Sequence, residues 1–399
     1  MSPSSRRLRL LVCADTSPWP PDRGDRLRYA HFVETLRDGH DVRLLVVRRE
    51  REARERPLED ADEVRLSPGR VALNALRGLA SPVPVQFSAF GGPAARRAVR
   101  AAAGGCDAFV ALGARAGLLR AALPPGLPSI LDLQDGLVLN ARAQWRGARG
   151  VLRKVYGADN LLKAGAFERR LARRFDLVLV AGNADLAWVR SRYPDSPSAL
   201  VPTAVPVPDA PSGPPSAPRL LFLGDLRFAP NVDAVRFLVA EVWPRVRSRC
   251  PRAVLQVVGH EPARNLAAWL RARGIETAYS VPDVAPYMEA ARVFVAPMRI
   301  GSGVKVKVLQ AMAAARPVAM TRLANDGIGA TSGTDALVED SSDALASAIV
   351  ALLEDDDLAR RMGFAARELV EREFSSGAVA AKLRAAIDPV LAERLAPAP

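Results

Sequence analysis

The chain has 399 residues, of which 56 are Lys or Arg and 43 are Asp or Glu, so its formal net charge is +13. At roughly 150 residues per domain this length predicts two or three domains, and an apolar content of 49% excludes disorder as the main state. Three widely spaced cysteines exclude a disulfide framework and a cysteine-rich zinc site and favour a reducing compartment. No apolar run approaches the ~18 residues of a membrane-spanning helix.

The first predicted element is a buried strand over residues 8–14, which follows a basic N-terminus. Basic residues before an apolar stretch are also typical of signal peptides. This stretch ends at Asp15 after about five residues, fewer than the ~7 that the apolar core of a signal peptide needs. The sequence therefore favours a strand, in a protein that stays in the cytoplasm.

Short apolar runs alternate with amphipathic segments along the first half of the chain. The predicted strands are 8–14, 42–47, 108–112, 129–133, 177–181 and 199–201. The predicted helices between them include 26–37, 93–103 and 149–174. Continuous apolar strands separated by helices are typical of a parallel sheet that is covered on both faces.

A proline-rich segment, 202–218, interrupts this alternation with seven prolines and one glycine in 17 residues. Such a composition predicts a stiff, extended connector. The alternation then resumes, with elements predicted over 219–223, 231–247, 254–258, 263–271 and 293–296, and with helices over 344–353, 358–373 and 378–395.

These elements predict an α/β protein with two Rossmann-like domains, each a doubly wound parallel sheet. We expect one domain over 1–201, the connector over 202–218, and a second domain over 219–375. A C-terminal helix, 376–399, is expected to pack back toward the first domain. Ligands of such sheets bind at the carboxyl ends of the strands, so a cleft between facing domains is the expected site.

Nearly all of the excess positive charge lies in the first half. Residues 1–200 hold 33 basic and 21 acidic side chains, and the remainder hold 23 and 22. This local excess indicates either an anionic partner, such as a membrane surface or a phosphate-bearing molecule, or solvated arginine-rich helices. Aromatic residues make up only 6% of the chain and no nucleic-acid-binding motif is present, so nucleic acid is not an expected partner.

The sequence gives little support to metal or histidine chemistry. Asp60 and Asp62 have the spacing of a metal-binding pair, but they lie in a charged loop, 59–63, with no predicted strand before it, which favours solvated surface. Of the three histidines, the first is expected on the first helix beside the cleft and the others at the surface: His31, His40 and His260. No Walker, GxGxxG or GxSxG motif is present, so kinase, dehydrogenase and esterase functions lack their motifs.

The segment 297–312 carries the strongest chemical signal. It follows a predicted strand and places Gly301 and Gly303 before Lys305 and Lys307. Free backbone N–H groups and the positive end of a helix form an anion site, and two of only five lysines in the chain lie there, where a flexible ammonium suits a phosphate. The alternation over 304–308 is also compatible with a half-exposed strand, although the apolar residues that follow favour a helix.

This segment resembles the donor-site motif of glycosyltransferase family 4, whose members are retaining enzymes of the GT-B fold. The first loop, PPDRGDRLR at 20–28 followed by His31, resembles an exopolysaccharide-cluster branch of that family. Further similar segments follow in the expected order: LGD at 223–225, PNVDA at 230–234, VVG at 257–259, VPDVAPY at 281–287 and DGIG at 326–329. The resemblance covers nearly the whole chain, and its specificity comes from the order and spacing of the motifs together.

The resemblance implies a metal-independent retaining glycosyltransferase that uses a nucleotide-diphosphate sugar and no cofactor. Departure of a diphosphate builds negative charge that fixed cations stabilise, a role that the resemblance assigns to Lys305 and Lys307 as catalytic residues. The donor-binding residues that it implies are Gly224, Arg227, Arg299, Gly301, Ser302, Gly303, Gln310, Val281 and Asp326. The first loop and acceptor residues are Gly24, Asp25, His31 and Asp132, with Asp135 as a candidate catalytic carboxylate.

Three positions depart from the family pattern. Gln310 stands where a glutamate usually holds the ribose hydroxyls, and Ser302 stands where another glutamate commonly contacts the sugar. A neutral amide accepts fewer hydrogen bonds than a carboxylate, so donor binding is expected to weaken by about 1 kcal/mol or to favour another donor. Asp225 replaces an arginine, and Arg227 or Arg299 is expected to compensate.

The carboxylates of 131–136 are candidates for acceptor chemistry. Asp132 and Asp135 lie at the end of a predicted strand, where either could orient or deprotonate an acceptor hydroxyl, or cap a turn. No histidine follows the strand 108–112, where many family members carry a catalytic one.

The preferred hypothesis is transfer of a sugar from a nucleotide-diphosphate donor to a glycan, a lipid-linked intermediate or a secondary metabolite. The basic first domain could bring the protein to the inner face of a membrane as a peripheral protein. Two alternatives stay open: a degenerate protein that binds a nucleotide sugar without transferring it, and a GT-B epimerase acting on a nucleotide sugar.

Overall fold

A computed structural model describes residues 7–50, 58, 60–147, 150–210 and 212–395, which form two compact units. The first unit contains the chain up to Ala204 together with the residues from Val379 onward, and the second contains Val205–Ala378. The described part of the proline-rich segment 202–218 contains neither helix nor strand.

The described residues of the first unit form a seven-stranded parallel sheet in the order β3-β2-β1-β4-β5-β6-β7. Its strands are β1 (Arg9–Ala14), β2 (Asp41–Arg49), β3 (Asp62–Leu66), β4 (Ala108–Leu112), β5 (Ser129–Gln134), β6 (Leu177–Val180) and β7 (Ser198–Leu200). Every residue of β4 and β6 is buried, as expected of strands with helices on both faces.

Helices cover this sheet, and two of them, Pro68–Leu79 and Pro93–Ala102, begin at a proline, whose fixed φ suits the first helical turn. They are α1 (Gly24–Gly39), α2 (Pro68–Leu79), α3 (Val85–Ser88), α4 (Pro93–Ala102), α5 (Ala114–Gly117), the 3₁₀ turn Leu118–Ala122, α6 (Leu137–Gly147), α7 (Val151–Ala172) and α8 (Asn183–Arg192). The C-terminal helix returns to this unit, where Val379, Leu383, Ile387 and Leu391 join the core around β1. Their four-residue spacing places them on one helix face.

One strand of the first unit differs from the sequence prediction. Asp62, expected in a solvated loop, begins the edge strand β3 and is paired with Leu45 of β2. Arg43 on β2 also donates to the Asp62 carboxylate at 2.7 Å. The polar composition of β3 hid the strand because an edge strand needs little apolar surface.

The described residues of the second unit form a six-stranded parallel sheet in the order β10-β9-β8-β11-β12-β13. Its strands are β8 (Arg219–Leu223), β9 (Val254–Gly259), β10 (Glu276–Tyr279), β11 (Val293–Ala296), β12 (Val318–Met320) and β13 (Leu337–Val338). Its helices are α9 (Ala229–Phe237), α10 (Trp243–Arg249), α11 (Arg264–Arg271), α12 (Ala285–Ala290), α13 (Val306–Ala313), α14 (Arg322–Asn325), α15 (Ser342–Glu354), α16 (Asp356–Phe374) and α17 (Ser376–Leu395), the last of which continues into the first unit. The prediction of two doubly wound parallel sheets is confirmed.

Two helical predictions in this unit have clear physical outcomes. The helix predicted over 231–247 is divided by a π-helical turn, Leu238–Val242, which lies just before Pro244. Proline cannot donate the next helical hydrogen bond, so the ladder is rearranged there. The segment 306–313 is helical, not a strand, and buries Val308, Leu309 and Met312 on one face.

Among the described residues, no helix combines the length and the apolar character that are needed to cross a bilayer.

Candidate functional site

The glycine-rich loop of the second unit lies between the buried strand β11 and helix α13. Gly301 has φ 123° and Gly303 has φ 72°, a left-handed conformation that only glycine adopts readily. Lys305 occupies the position that precedes α13, and its Nζ donates to the Gly303 carbonyl. The loop therefore folds back on the start of the helix, where backbone N–H groups lack helical partners.

Lys307 lies in the first turn of α13 and points toward the end of β8. Its Nζ donates to Asn231 Oδ1 at 2.8 Å and lies 4.7 Å from the centroid of the Phe222 ring. Burial, together with the charge of Lys305, lowers the pKa of Lys307 to about 7. Two ammonium groups thus crowd at the N-terminus of a helix, a position at which an anion is stabilised.

Asn231 is a residue of this site to which the sequence prediction assigned no role. It lies on α9, and its Nδ2 donates to the Asp225 carbonyl at 3.0 Å while its oxygen accepts from Lys307. A Cβ on Gly224 would lie 2.8 Å from Asn231 Cγ, so glycine is needed there to admit the amide. The sequence indicates this residue only indirectly, because the PNVDA segment at 230–234 is similar to a family motif.

The two arginines expected to compensate for Asp225 are both bound to carboxylates of the second unit. Arg227 donates from Nε and Nη2 to Asp225 at 2.9 and 2.8 Å. Arg299 donates to Asp233 at 3.1 and 2.9 Å and its guanidinium lies over the Phe237 ring at 4.4 Å. In this structure each guanidinium is therefore paired with a carboxylate, and the expectation that one of the two compensates for Asp225 stays a prediction.

The remaining donor-site candidates are Ser302, Gln310, Val281 and Asp326. Ser302 is half-buried within the loop, and Gln310 is half-buried one turn beyond Lys307 on α13. Val281 follows Ser280, which has φ 52°, after β10, and Asp326 is exposed at the end of α14.

A separate pocket of about 400 Å³ lies in the first unit, at the carboxyl ends of β1, β4 and β5. Its lining includes two predicted carboxylates, Asp25 and Asp135, and three arginines, Arg23, Arg49 and Arg115. Asp25 accepts from Arg23 at 2.9 Å and lies in the first turn of α1, which begins at Gly24. Asp135 follows Gln134, whose φ of 64° turns the chain at the end of β5.

Asp15 is a lining residue that sequence reasoning missed. It directly follows the buried strand β1, and its carboxylate accepts from Tyr29 Oη at 3.2 Å and lies 3.5 Å from Arg115 Nη1. Burial raises the pKa of Asp15, with Arg115 opposing the shift. Gly113 is required opposite, because a Cβ there would lie 2.4 Å from Tyr29 Oη. The first polar residue after a buried parallel strand was the available signal.

Two predicted acceptor residues lie away from this pocket. Asp132 is fully buried and accepts from Arg28 Nε and Nη2 at distances down to 2.7 Å, while Arg28 Nη1 donates to the Val201 carbonyl. Asp132 therefore holds β5 to α1 and is not available to an acceptor. His31 is not among the lining residues either, and burial and the charges of Arg28 and Arg384 lower its pKa.

A third buried carboxylate, Glu168, bonds to a helix that lines this pocket. It lies on α7 and accepts from the Val138 backbone N–H at 3.0 Å and from Trp188 Nε1 at 3.1 Å. Desolvation raises the pKa of Glu168 to about 7. It fixes the start of α6, which supplies Leu137 and Asn140 to the pocket lining.

In the part of the chain that the structure describes, no group of three or more His, Cys, Asp or Glu side chains is arranged to hold a metal ion.

Residues 217–355 match the family described as glycosyl transferases group 1. No curated protein matches the chain in sequence.

Solved structures extend the likeness to both units. Sucrose-phosphate synthase from Thermosynechococcus elongatus has a TM-score of 0.70 at 16% identity, over 97% of this chain and 100% of its own. HepE from Anabaena, in complex with UDP, has a TM-score of 0.67 at 13% identity, over 96% and 100%. Staphylococcus aureus TarM, in a complex that includes UDP, has a TM-score of 0.56 at 14% identity over 71% of this chain and 55% of its own, so this chain spans about half the length of TarM. At these identities the likeness establishes the fold.

Proposed function

We propose that this chain, which has the GT-B fold and carries a glycosyltransferase group 1 domain over residues 217–355, is a retaining glycosyltransferase that uses a nucleotide-diphosphate sugar. The observation that carries the proposal is the lysine pair beside the glycine-rich loop. Lys305 and Lys307 are placed at a helix N-terminus, and the pKa of Lys307 is lowered to about 7 partly by its neighbour. Such a site gains most from a ligand with two or more negative charges.

The leaving diphosphate is the group that this site would stabilise. As the bond between the sugar and the diphosphate breaks, negative charge grows on the phosphate oxygens, and cations placed in advance lower the barrier. Lys307 would become fully protonated as that charge develops, because a nearby anion raises the pKa of an ammonium. Gly301 and Gly303 would let the backbone approach the phosphates closely.

The acceptor would bind in the pocket of the first unit. Asp15, whose pKa is raised by burial, is suited to receive a proton from an acceptor hydroxyl, and Asp135 lines the same pocket. The lining is rich in carboxylate, amide and guanidinium groups, which favours a hydroxyl-rich acceptor: a glycan, a lipid-linked intermediate or a secondary metabolite. We place this reaction in the cytoplasm.

Two finer points belong to the same proposal. The lysine pair would carry the charge that a divalent ion supplies in other transferases, so turnover is expected to persist in the presence of a chelator. Retention of the anomeric configuration is inferred from the similarity of the segment 297–312 to retaining enzymes. The anomeric coupling in the NMR spectrum of the product would establish it.

A thermal-shift screen across nucleotides and nucleotide sugars would identify the donor, because a ligand that binds the native state raises its apparent stability. Turnover is then measured for the wild type and for Lys305→Ala with Lys307→Ala. The double variant is expected to lose both the shift and the turnover. Lys154→Ala, which removes an exposed lysine of α7, is the matched control. A double variant with unchanged turnover would overturn the site assignment.

A second function, binding of a nucleotide sugar without transfer, is favoured by one observation. Arg227 and Arg299, which were expected to add charge to the donor site, are each bound to a carboxylate. Donor binding that is detected by thermal shift, without hydrolysis or transfer to any tested acceptor, would support this alternative. Any turnover would eliminate it.

A further inference from the structure

One helix of the first unit exposes apolar side chains on the face that should be polar. Leu73, Leu76 and Leu79 of α2 are 48%, 64% and 59% exposed. The opposite side of the helix is the one that packs on the protein, since Gly78 is buried and a Cβ there would lie 2.0 Å from Ser88 Oγ of α3. A surface helix normally pairs an apolar buried face with a polar exposed one, and α2 does not.

A second helix of the first unit also exposes apolar side chains. Leu162 and Val155 of α7 are 83% and 63% exposed, and their seven-residue separation places them on one face of the helix. Lys163 joins the two helices, since its Nζ donates to the Gly78 and Leu79 carbonyls at 3.2 and 3.1 Å. We call the exposed side chains of Leu73, Leu76, Leu79, Val155 and Leu162 the leucine face.

The arginines of α2 add positive charge to the leucine face. Arg70 and Arg77 of α2 are exposed and lie beside the leucines on the helical wheel. They belong to the half of the chain that carries 33 basic and 21 acidic residues. Exposed leucines beside arginines are the pattern of a helix that lies in the interface of an anionic bilayer.

We propose that the leucine face docks this protein on an anionic membrane surface, with the leucines in the headgroup and acyl boundary and Arg70 and Arg77 on lipid phosphates. Charge complementarity selects this partner over a second copy of the chain. A two-fold contact through the same face would place the arginines of one copy near those of the other, and like charges oppose such a contact. The proposal rests on the first unit alone and stands independently of the donor chemistry.

Co-flotation of the full chain with vesicles tests the proposal directly. The probes are vesicles of phosphatidylcholine alone and of phosphatidylcholine with about one-third phosphatidylglycerol, an anionic lipid. The wild type is expected to float with the anionic vesicles only, and raising the salt concentration should weaken the binding. Replacing Leu73, Leu76 and Leu79 together by serine should lower the partition coefficient at least ~10-fold.

Matched variants distinguish binding through the leucine face from nonspecific binding through other exposed apolar or basic side chains. Phe364→Ser removes an exposed aromatic side chain of the second unit and should leave flotation unchanged. Arg70→Glu with Arg77→Glu should abolish flotation, whereas Arg247→Glu with Arg271→Glu, which changes exposed arginines of the second unit, should not. Thermal unfolding of each variant checks that it is folded.

Three results would overturn the proposal. One is a wild type that does not float with anionic vesicles, and another is a triple-serine variant that floats as well as the wild type. The third is a wild-type dimer in light scattering that the triple-serine variant converts to a monomer, because the leucine face would then bind a second copy. Donor turnover with a water-soluble acceptor should be the same for wild type and triple-serine variant, so failure here leaves the proposed function intact.

Discussion

Replacing Lys307 by methionine should stabilise the fold while removing donor binding. The unfolded chain holds the lysine proton with an ordinary pKa of 10.5, but burial and Lys305 lower that pKa to about 7 in the folded protein. The unfolded state therefore binds more protons between these values, and wild-type stability rises as the pH rises from about 7 to 10.5. Below pH 7 the cost of burying the ammonium is fully present.

The pKa difference sets an upper bound of about 4 to 5 kcal/mol on that cost. Methionine fills a similar volume without charge, but it forfeits the hydrogen bond to Asn231 Oδ1 and the contact with the Phe222 ring. These losses reduce the expected gain in the free energy of unfolding to about 1 to 3 kcal/mol at pH 6. The gain should shrink toward pH 10, where the wild-type lysine is neutral.

Urea unfolding of wild type and Lys307→Met at pH 6 and near pH 10 measures this difference. A second readout is the number of protons taken up when the nucleotide found by thermal shift binds. Calorimetry of that binding in two buffers of different ionisation enthalpy measures it. Binding to the wild type at pH 7 should take up about half a proton, and the variant should bind weakly or not at all. A variant that is less stable than the wild type at pH 6, or a stability difference that does not change with pH, would refute the reasoning. Lys154→Met serves as the exposed-lysine control.

Asp15→Asn should lower kcat by about 10²-fold or more, with donor affinity unchanged, since the amide cannot accept the acceptor proton; equal kcat in steady-state assays would remove Asp15 from the chemistry. Arg28→Ala should cost about 3 to 5 kcal/mol in urea unfolding, because Asp132 would be left buried without its partner, and a loss below ~1 kcal/mol would contradict that. Glu168 has its pKa raised to about 7 in the folded protein, so its contribution to stability is present near pH 5 and is lost as the pH rises toward 8. Glu168→Gln should therefore flatten the dependence of the melting temperature on pH between 5 and 8, and an unchanged slope would count against this assignment.

Several features of the fold could be predicted from local pattern. Strands such as Ala108–Leu112 and Val293–Ala296 match the predicted bounds because a buried parallel strand must be a continuous apolar run. A helix was predicted over 358–373, and α16 begins two residues earlier, where Asp355 Oδ1 caps it by accepting from the Leu358 N–H at 2.8 Å. The edge strand β3 and the short strand β12 were not predicted, because each contributes only a short run of buried side chains to the sequence pattern.

The candidate site likewise contains residues that the sequence predicts and contacts that it does not. The glycines and lysines of 301–307 could be predicted as a site because glycine favours a left-handed backbone and lysine supplies positive charge. The partners of the charged residues could not be predicted from the sequence. Asp132 and Asp135 are three positions apart on the same strand end, yet one lies in a buried pair with Arg28 and the other lines the pocket.

By itself, then, the sequence determined the alternation of strands and helices and the position of the glycine and lysine loop. Only the tertiary structure decided which charges remain available to a ligand. Arg299 meets Asp233 across 66 residues, Arg28 meets Asp132 across 104, and Lys307 meets Asn231 across 76. The physical reason is that burial and periodicity are local properties of a chain, whereas the partner of a charge depends on which distant segments the sheet order brings together.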